Sequence, residues 1–144
     1  GINALSLNWL TVVGNRLYFT ASTSVFGIEL WTSDGTPQGT VLVRDIVAGP
    51  WSSSPAWLTA YNGQLYFTAN DGVNGTELWR SDGTADGTVL AVNIAPAPSD
   101  NLFGTYPSRS SSPTQLRVFN GLLFCAADDG TGTTGSTMRW CSSP

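Results

Sequence analysis

Short, mostly apolar runs rich in aromatic residues, Val and Thr are separated by polar turns rich in glycine and asparagine along most of the chain. The first four runs cover residues 7–13, 16–22, 28–33 and 40–46. Aromatic residues, Val and Thr in short runs between glycine-rich turns predict β-strands. Because the connections are short, consecutive strands should pair antiparallel, as in a β-meander.

An internal repeat organises these strands. The pentapeptide LYFTA occurs at residues 17–21 and again at 65–69, an offset of 65 − 17 = 48 residues, and the segments ELW and SDGT recur at the same offset. A divergent third copy, LFCAA at 123–127, lies at an offset of 123 − 65 = 58 because the preceding linker is longer. One four-stranded unit about every 48 residues is typical of propeller blades. An open β-solenoid or a sandwich built from the same meanders is the alternative.

We therefore predict an all-β chain that forms a single repeat domain over residues 1–144, with three propeller-blade-like β-meanders. The predicted module 1 is 1–48, module 2 is 49–97, the linker is 98–112, and the degenerate module 3 is 113–144. Nothing after Trp140 corresponds to the fourth strand of the other two copies, so module 3 should be one strand short.

The repeated octapeptides ELWTSDGT at 29–36 and ELWRSDGT at 77–84 resemble the ELWxxDGT repeat of bacterial secreted and surface proteins. The resemblance implies an extracellular, propeller-like repeat protein. It implies no enzyme activity, because that family is defined by its repeat and not by a reaction. Members of the family usually carry more copies than the three found here, and the third copy lacks a recognisable DGT.

The amino-acid composition excludes several kinds of catalytic and binding site. The 144 residues include six Arg, no Lys and no His, and ten acidic residues give a net charge of −4. No imidazole can serve as a general base or zinc ligand, and no lysine can form a Schiff base. We predict no metal, no cofactor, no nucleic-acid partner and no membrane span. Since the sequence begins with Gly1, we expect a processed product or a segment of a longer precursor.

An unpaired sheet edge in module 3 would be a template for association. The sequence predicts a donor strand at the N-terminus that adds to the third-module edge, near Cys125 and Trp140, of a neighbouring copy. Such head-to-tail contact gives a ring or an open filament. The alternatives are a frayed terminus and a fragment of a longer array. The donor residues are Ile2, Ala4, Leu5 and Leu7.

Two covalent features are also predicted. Cys125 and Cys141 fall on adjacent strands of module 3, which favours a cross-strand disulfide over two free thiols. Asn74 begins a glycosylation sequon, Asn-Gly-Thr, in a predicted turn.

Recurring aromatic and acidic side chains give a second functional hypothesis, carbohydrate binding at module junctions. Aromatic faces flanked by carboxylate and guanidinium groups suit a sugar. The alternative is that the tryptophans pack between modules and the glutamates bind backbone donors. The candidate residues are Glu29, Trp31, Glu77, Trp79 and Arg80. The leading hypothesis remains a non-enzymatic, extracellular structural or adhesive protein whose partner is itself, with a glycan-binding lectin as the alternative.

Overall fold

Antiparallel β-strands form the regular secondary structure of the residues that the computed structural model describes, which are 6–95, 110–129 and 137–141, the side chains of 137–140 excepted. The described residues contain no helix, so the prediction of an all-β chain is confirmed. The strands form three separate sheets, and none of them closes on itself within the described ranges.

Neighbours in chain order are neighbours in all three sheets. The third sheet has three described strands, whereas each of the other two has four. The first sheet contains β1 (Ser6–Val13), β2 (Arg16–Thr23), β3 (Gly27–Ser33) and β4 (Val41–Arg44). The second sheet contains β5 (Ala56–Tyr61), β6 (Gln64–Asn70), β7 (Thr76–Ser81) and β8 (Val89–Val92). The third sheet contains β9 (Thr114–Phe119), β10 (Leu122–Ala127) and β11 (Thr137–Trp140).

Asparagine–glycine turns fix the register of two hairpins. Asn62 and Gly63 have φ angles of 47° and 72°, and Asn120 and Gly121 have φ angles of 49° and 72°. Positive φ at both central residues is what a tight type I′ hairpin turn requires. Each turn places the flanking residues opposite one another, as Tyr61 lies opposite Gln64.

A bulge recurs in the first strand of each sheet. Trp9, Trp57 and Gln115 adopt φ angles of 56°, 58° and 56°, and the strand register shifts beside each of them. The rings of Trp9 and Trp57 meet with their centroids 5.2 Å apart. These first strands also pack side by side, β1 against β5 and β5 against β9. The three sheets therefore follow one another in chain order.

Two apolar layers lie between the sheets. One joins the first and second sheets, and the other joins the second and third. A third, smaller cluster of Phe19, Ala21 and Trp31 lies on the opposite face of the first sheet, because successive side chains of a strand point to opposite faces. The layer between the first two sheets includes Tyr18, Leu30, Leu65, Phe67 and Trp79. The layer between the second and third includes Tyr61, Leu78, Leu116, Leu123 and Cys125.

Candidate functional site

The carboxylate of Glu29, in the middle of β3, is fully buried and ties the first sheet to the entry of the second. Its Oε1 accepts a hydrogen bond from the backbone N–H of Ser53 at 2.8 Å. Its Oε2 accepts from the Ser53 hydroxyl at 2.5 Å and from the backbone N–H of Ile46 at 3.3 Å. Three donors thus converge on one buried carboxylate, which compensates for its removal from water.

Glu77 of β7 repeats this arrangement one unit further along the chain. Its Oε1 accepts from the backbone N–H of Ser111 at 2.8 Å, and its Oε2 accepts from the Ser111 hydroxyl at 2.5 Å and from the backbone N–H of Ile94 at 2.9 Å. We call the two arrangements, Glu29 with Ser53 and Glu77 with Ser111, the carboxylate latches. Each latch fixes the segment that leads into the next sheet.

The pKa of Glu29 lies above its ordinary value because burial disfavours the charged carboxylate. Hydrogen bonds from Ser53 and Ile46 oppose this rise, and the nearby charge of Asp45 adds to it. Glu29 is thus a structural acid whose polar contacts are met by protein groups.

The five residues of the predicted sugar site do not share one surface. Trp31, Trp79 and both glutamates are buried, and the glutamates are engaged in the latches. Neither indole N–H finds a hydrogen-bond partner among the described residues. Arg80 is the one exposed member of the set. A sugar could not stack on the two indole faces while they are covered, so the carbohydrate hypothesis rests on Arg80 alone.

The predicted disulfide is confirmed. Cys125 of β10 and Cys141, which follows β11, are bonded to each other with their Cα atoms 5.8 Å apart, and both are buried. The backbone N–H of Cys141 also donates to the carbonyl of Leu123 at 3.1 Å. The bridge therefore ties the end of β11 to β10, the middle strand of the third sheet.

The predicted glycosylation residue Asn74 is partly buried, and its amide is engaged. Its Nδ2 donates to Oδ2 of Asp71 at 2.7 Å, and its Oδ1 accepts from Nδ2 of Asn93 at 3.2 Å. The side-chain nitrogen that would carry a glycan is thus held by a carboxylate.

The predicted donor strand lies mostly outside the described residues. Its members Ile2, Ala4 and Leu5 are the ones that lie outside. Leu7 belongs to β1, lies opposite Ala21 of β2, and is more than half exposed. Leu7 is therefore paired with β2 on one side, and β1 is an edge strand of the described sheet.

One end of the sheet series presents an open apolar face. Leu58, in β5, is 8% exposed because it packs between the first and second sheets, whereas its repeat equivalent Leu10, in β1, is 64% exposed. A hollow of about 240 Å³ lies beside Leu10. Its lining residues are Leu7, Leu10, Leu17, Phe19, Ser33 and Thr40.

The other end of the series is open in the same way. Tyr61, at the end of β5, is 6% exposed, and its hydroxyl donates to the carbonyl of Gly121 in the third sheet at 3.0 Å. Its repeat equivalent Phe119, at the end of β9, is 66% exposed. A hollow of about 270 Å³ lies there, lined by Gln115, Arg117, Phe119, Phe124, Cys125 and Ala126.

We did not predict these two end faces from the sequence. The signal was nevertheless present in the repeat, because the offsets of 48 and 58 residues match each exposed side chain to a buried equivalent.

The Ser-Asp-Gly-Thr turns are closed by their own side chains. Oδ1 of Asp34 accepts from the backbone N–H and the hydroxyl of Thr36 at 2.9 and 2.7 Å, and Asp82 binds Thr84 at the same distances. In the described part of the chain, no group of three or more Cys, Asp or Glu side chains could hold a metal ion. The repeated aspartates therefore serve as turn residues.

None of the described residues forms a helix of the length and apolarity needed to cross a membrane. Comparisons of the chain with protein-family models, with curated proteins and with solved structures found no match in any of the three.

Proposed function

We propose that this chain is a non-enzymatic, extracellular structural or adhesive protein of the ELWxxDGT-repeat type. In this proposal its three sheets are propeller-like modules, and copies associate head to tail into a ring or a filament. The donor strand, Ile2, Ala4, Leu5 and Leu7, adds to the edge strand β11 of the neighbouring copy.

The contrast between Leu10 and Leu58 carries the proposal. The two residues occupy the same repeat position in the first strands of neighbouring sheets, yet one is 64% exposed and the other 8%. Leu58 is covered by the preceding sheet. Leaving a leucine of this kind in water forfeits about 1.5 kcal/mol or more of burial free energy. A face that is covered at one position of the repeat and open at another favours association with a further sheet.

The roles of the repeated acids support a structural over an enzymatic function. Glu29 and Glu77 each bind three protein donors, and Asp34 and Asp82 close turns. General acid–base catalysis needs a carboxyl group that can reach a substrate proton. These four acids are engaged with the chain itself.

The disulfide between Cys125 and Cys141 supports the extracellular assignment, because such bonds persist in oxidising compartments.

Sedimentation velocity over a series of protein concentrations, with negative-stain electron microscopy of the same samples, tests the proposal. We expect the sedimentation coefficient to rise with concentration and images to show rings or filaments. A species that stays monomeric at every concentration would refute self-association. A glycan array probed with the wild-type chain and with Arg80→Ala separates the carbohydrate alternative, which requires binding that the substitution weakens.

A further inference from the structure

We infer that the open face of the third sheet docks onto the open face of the first sheet of a second copy. The inference rests on the proposed self-association and specifies which surfaces meet. We call the surface of Leu7, Leu10, Leu17 and Phe19 the leading face, and the surface of Gln115, Arg117, Phe119 and Phe124 the trailing face.

The leading face repeats a surface that is already half of an interface within the chain. Its members Leu10, Leu17 and Phe19 lie 48 residues before Leu58, Leu65 and Phe67. Those three are buried in the layer between the first and second sheets. In that layer they meet the first sheet through Tyr18, Leu30 and Val43.

The trailing face repeats the surface on the other side of such an interface between sheets. Its members Gln115, Phe119 and Phe124 lie 58 residues after Trp57, Tyr61 and Tyr66. Those three belong to the layer between the second and third sheets. There they meet the third sheet through Leu116, Leu123 and Cys125.

The occupant of each end face follows from these equivalences. At both joints within the chain, a surface of the trailing kind packs against a surface of the leading kind. The two open surfaces found among the described residues are one of each kind. A second copy therefore supplies to each end face the surface that its equivalent contacts inside the chain.

Charge does not oppose this pairing. Arg117 brings a positive charge to the trailing face, and the residues that line the hollow of the leading face include no charged side chain that would repel it.

Because two different surfaces meet, the contact is heterologous, and each copy keeps one free surface after it has docked. An isologous contact, with the leading face on another leading face, would instead stop at a dimer. The two kinds of contact respond differently when one face is blocked.

Two single substitutions test the inference. Leu10→Glu places a charge on the leading face and leaves the trailing face intact, and Phe119→Glu does the reverse. We expect each variant alone to sediment as a monomer at concentrations where the wild-type chain associates. An equimolar mixture should form a dimer of one copy of each and grow no further, because one intact trailing face meets one intact leading face.

Exposed apolar residues away from both faces provide matched controls. Val25 is 60% exposed and Trp51 is 70% exposed. Val25→Glu and Trp51→Glu should associate like the wild-type chain.

Circular dichroism and thermal unfolding establish that the Leu10→Glu and Phe119→Glu chains are folded. If either is not, Leu10→Ala and Phe119→Ala replace them, and each should weaken association by about tenfold or more, as expected on removing a buried anchor.

Three results would overturn the inference while the proposed function stands: association of Phe119→Glu alone at wild-type strength, association of Leu10→Glu alone at wild-type strength, or two monomeric variants that fail to pair when mixed. A wild-type chain that never associates would overturn the proposed function and the inference with it.

Discussion

The carboxylate of Glu29 holds both the backbone N–H and the hydroxyl of Ser53, 24 residues further along the chain, at 2.8 and 2.5 Å. Glu77 holds Ser111 at the same two distances, 34 residues away. The separations differ because a longer linker precedes the third sheet, yet the local geometry is the same. The carboxylate latch thus belongs to the joint between sheets and does not depend on the length of the connection.

We expect Glu29→Gln to lower the free energy of unfolding by about 2 kcal/mol, since hydrogen bonds to charged groups contribute about 1.5–3 kcal/mol. The amide keeps one oxygen acceptor but presents an N–H₂ group to a buried donor. Glu77→Gln should have an effect of similar size. Chemical denaturation measures both, and Asp86→Asn, a change at an exposed acid, serves as the control. An unfolding free energy of Glu29→Gln equal to that of Asp86→Asn would contradict a stabilising latch.

The raised pKa of Glu29 predicts a specific pH dependence. Its unfolded value is about the ordinary 4.5 and its folded value is higher, so protonation favours the folded state. The penalty for burying the ionised carboxylate is full above the folded pKa and is absent below 4.5. The wild-type chain should therefore gain stability relative to Glu29→Gln as the pH falls through this window. Denaturant unfolding at a series of pH values measures the difference. A difference that stays constant with pH would show that the pKa is not raised.

The turn aspartates predict a pH dependence of stability that is opposite in sign to that of Glu29 and lies at lower pH. Hydrogen bonds from the hydroxyl and backbone N–H of Thr36 hold the pKa of Asp34 below its ordinary 3.8, and Thr84 does the same for Asp82. Stability from these groups is present above 3.8 and is lost as the pH falls through the lowered folded values.

Substitution tests the same turns directly. We expect Asp82→Ala to speed amide hydrogen exchange at Thr84, because its backbone N–H loses its acceptor. Asp82→Asn keeps an oxygen acceptor and should preserve most of the protection. Equal exchange rates in the two variants would mean that the side-chain oxygen does not close the turn.

Loss of the disulfide should destabilise the chain by about 3 kcal/mol, the loop-closure entropy of a bridge of this span. The variant Cys125→Ala with Cys141→Ala removes it, and a reductant should produce a loss of similar size in the wild-type chain. The reductant should leave the double variant unchanged. If the free energy of unfolding of the wild-type chain were the same with and without the reductant, the disulfide would not stabilise the fold by constraining the unfolded chain.

Removal of residues 1–5 tests strand addition separately from the end faces, because β1 begins at Ser6 and stays intact. We expect the truncated chain to associate more weakly than the full chain in sedimentation experiments, since the edge of β11 would lose its added strand. Association of unchanged strength would refute the donor strand without affecting the docking of the two end faces.

The strands were predictable because their signals are local. The predicted strand at 16–22 became Arg16–Thr23, and the Asn62-Gly63 dipeptide formed the expected tight turn. The disulfide was also predictable, since two cysteines on adjacent strands leave one partner each. The predicted strand at 40–46 is shorter, however, and β4 ends at Arg44. The backbone N–H of Ile46 donates to Glu29 and not to a neighbouring strand, which stops the ladder early.

Other features depended on contacts between distant segments. Nothing in the sequence around Trp9 indicated the bulge at φ 56°, which places its ring against Trp57 of the next sheet. The motif at Glu29 was recognisable, but its burial against Ser53 depends on how two sheets stack. The exposure of Leu10 could not be predicted either, since its sequence surroundings match those of the buried Leu58.

The carboxylate latch has a consequence for any assembly built from end-face docking. In β11 the residue opposite Ala127 is Thr137, whereas in β7 the residue opposite the equivalent Ala69 is Glu77. The sequence also has Leu5 at the repeat position of Ser53. A joint between copies would therefore lack both halves of the latch, and the contact between its two end faces would depend on apolar packing. Under tension such an assembly would separate between copies while each copy stayed intact, and kosmotropic salts, which strengthen apolar burial, would make the assembly more resistant.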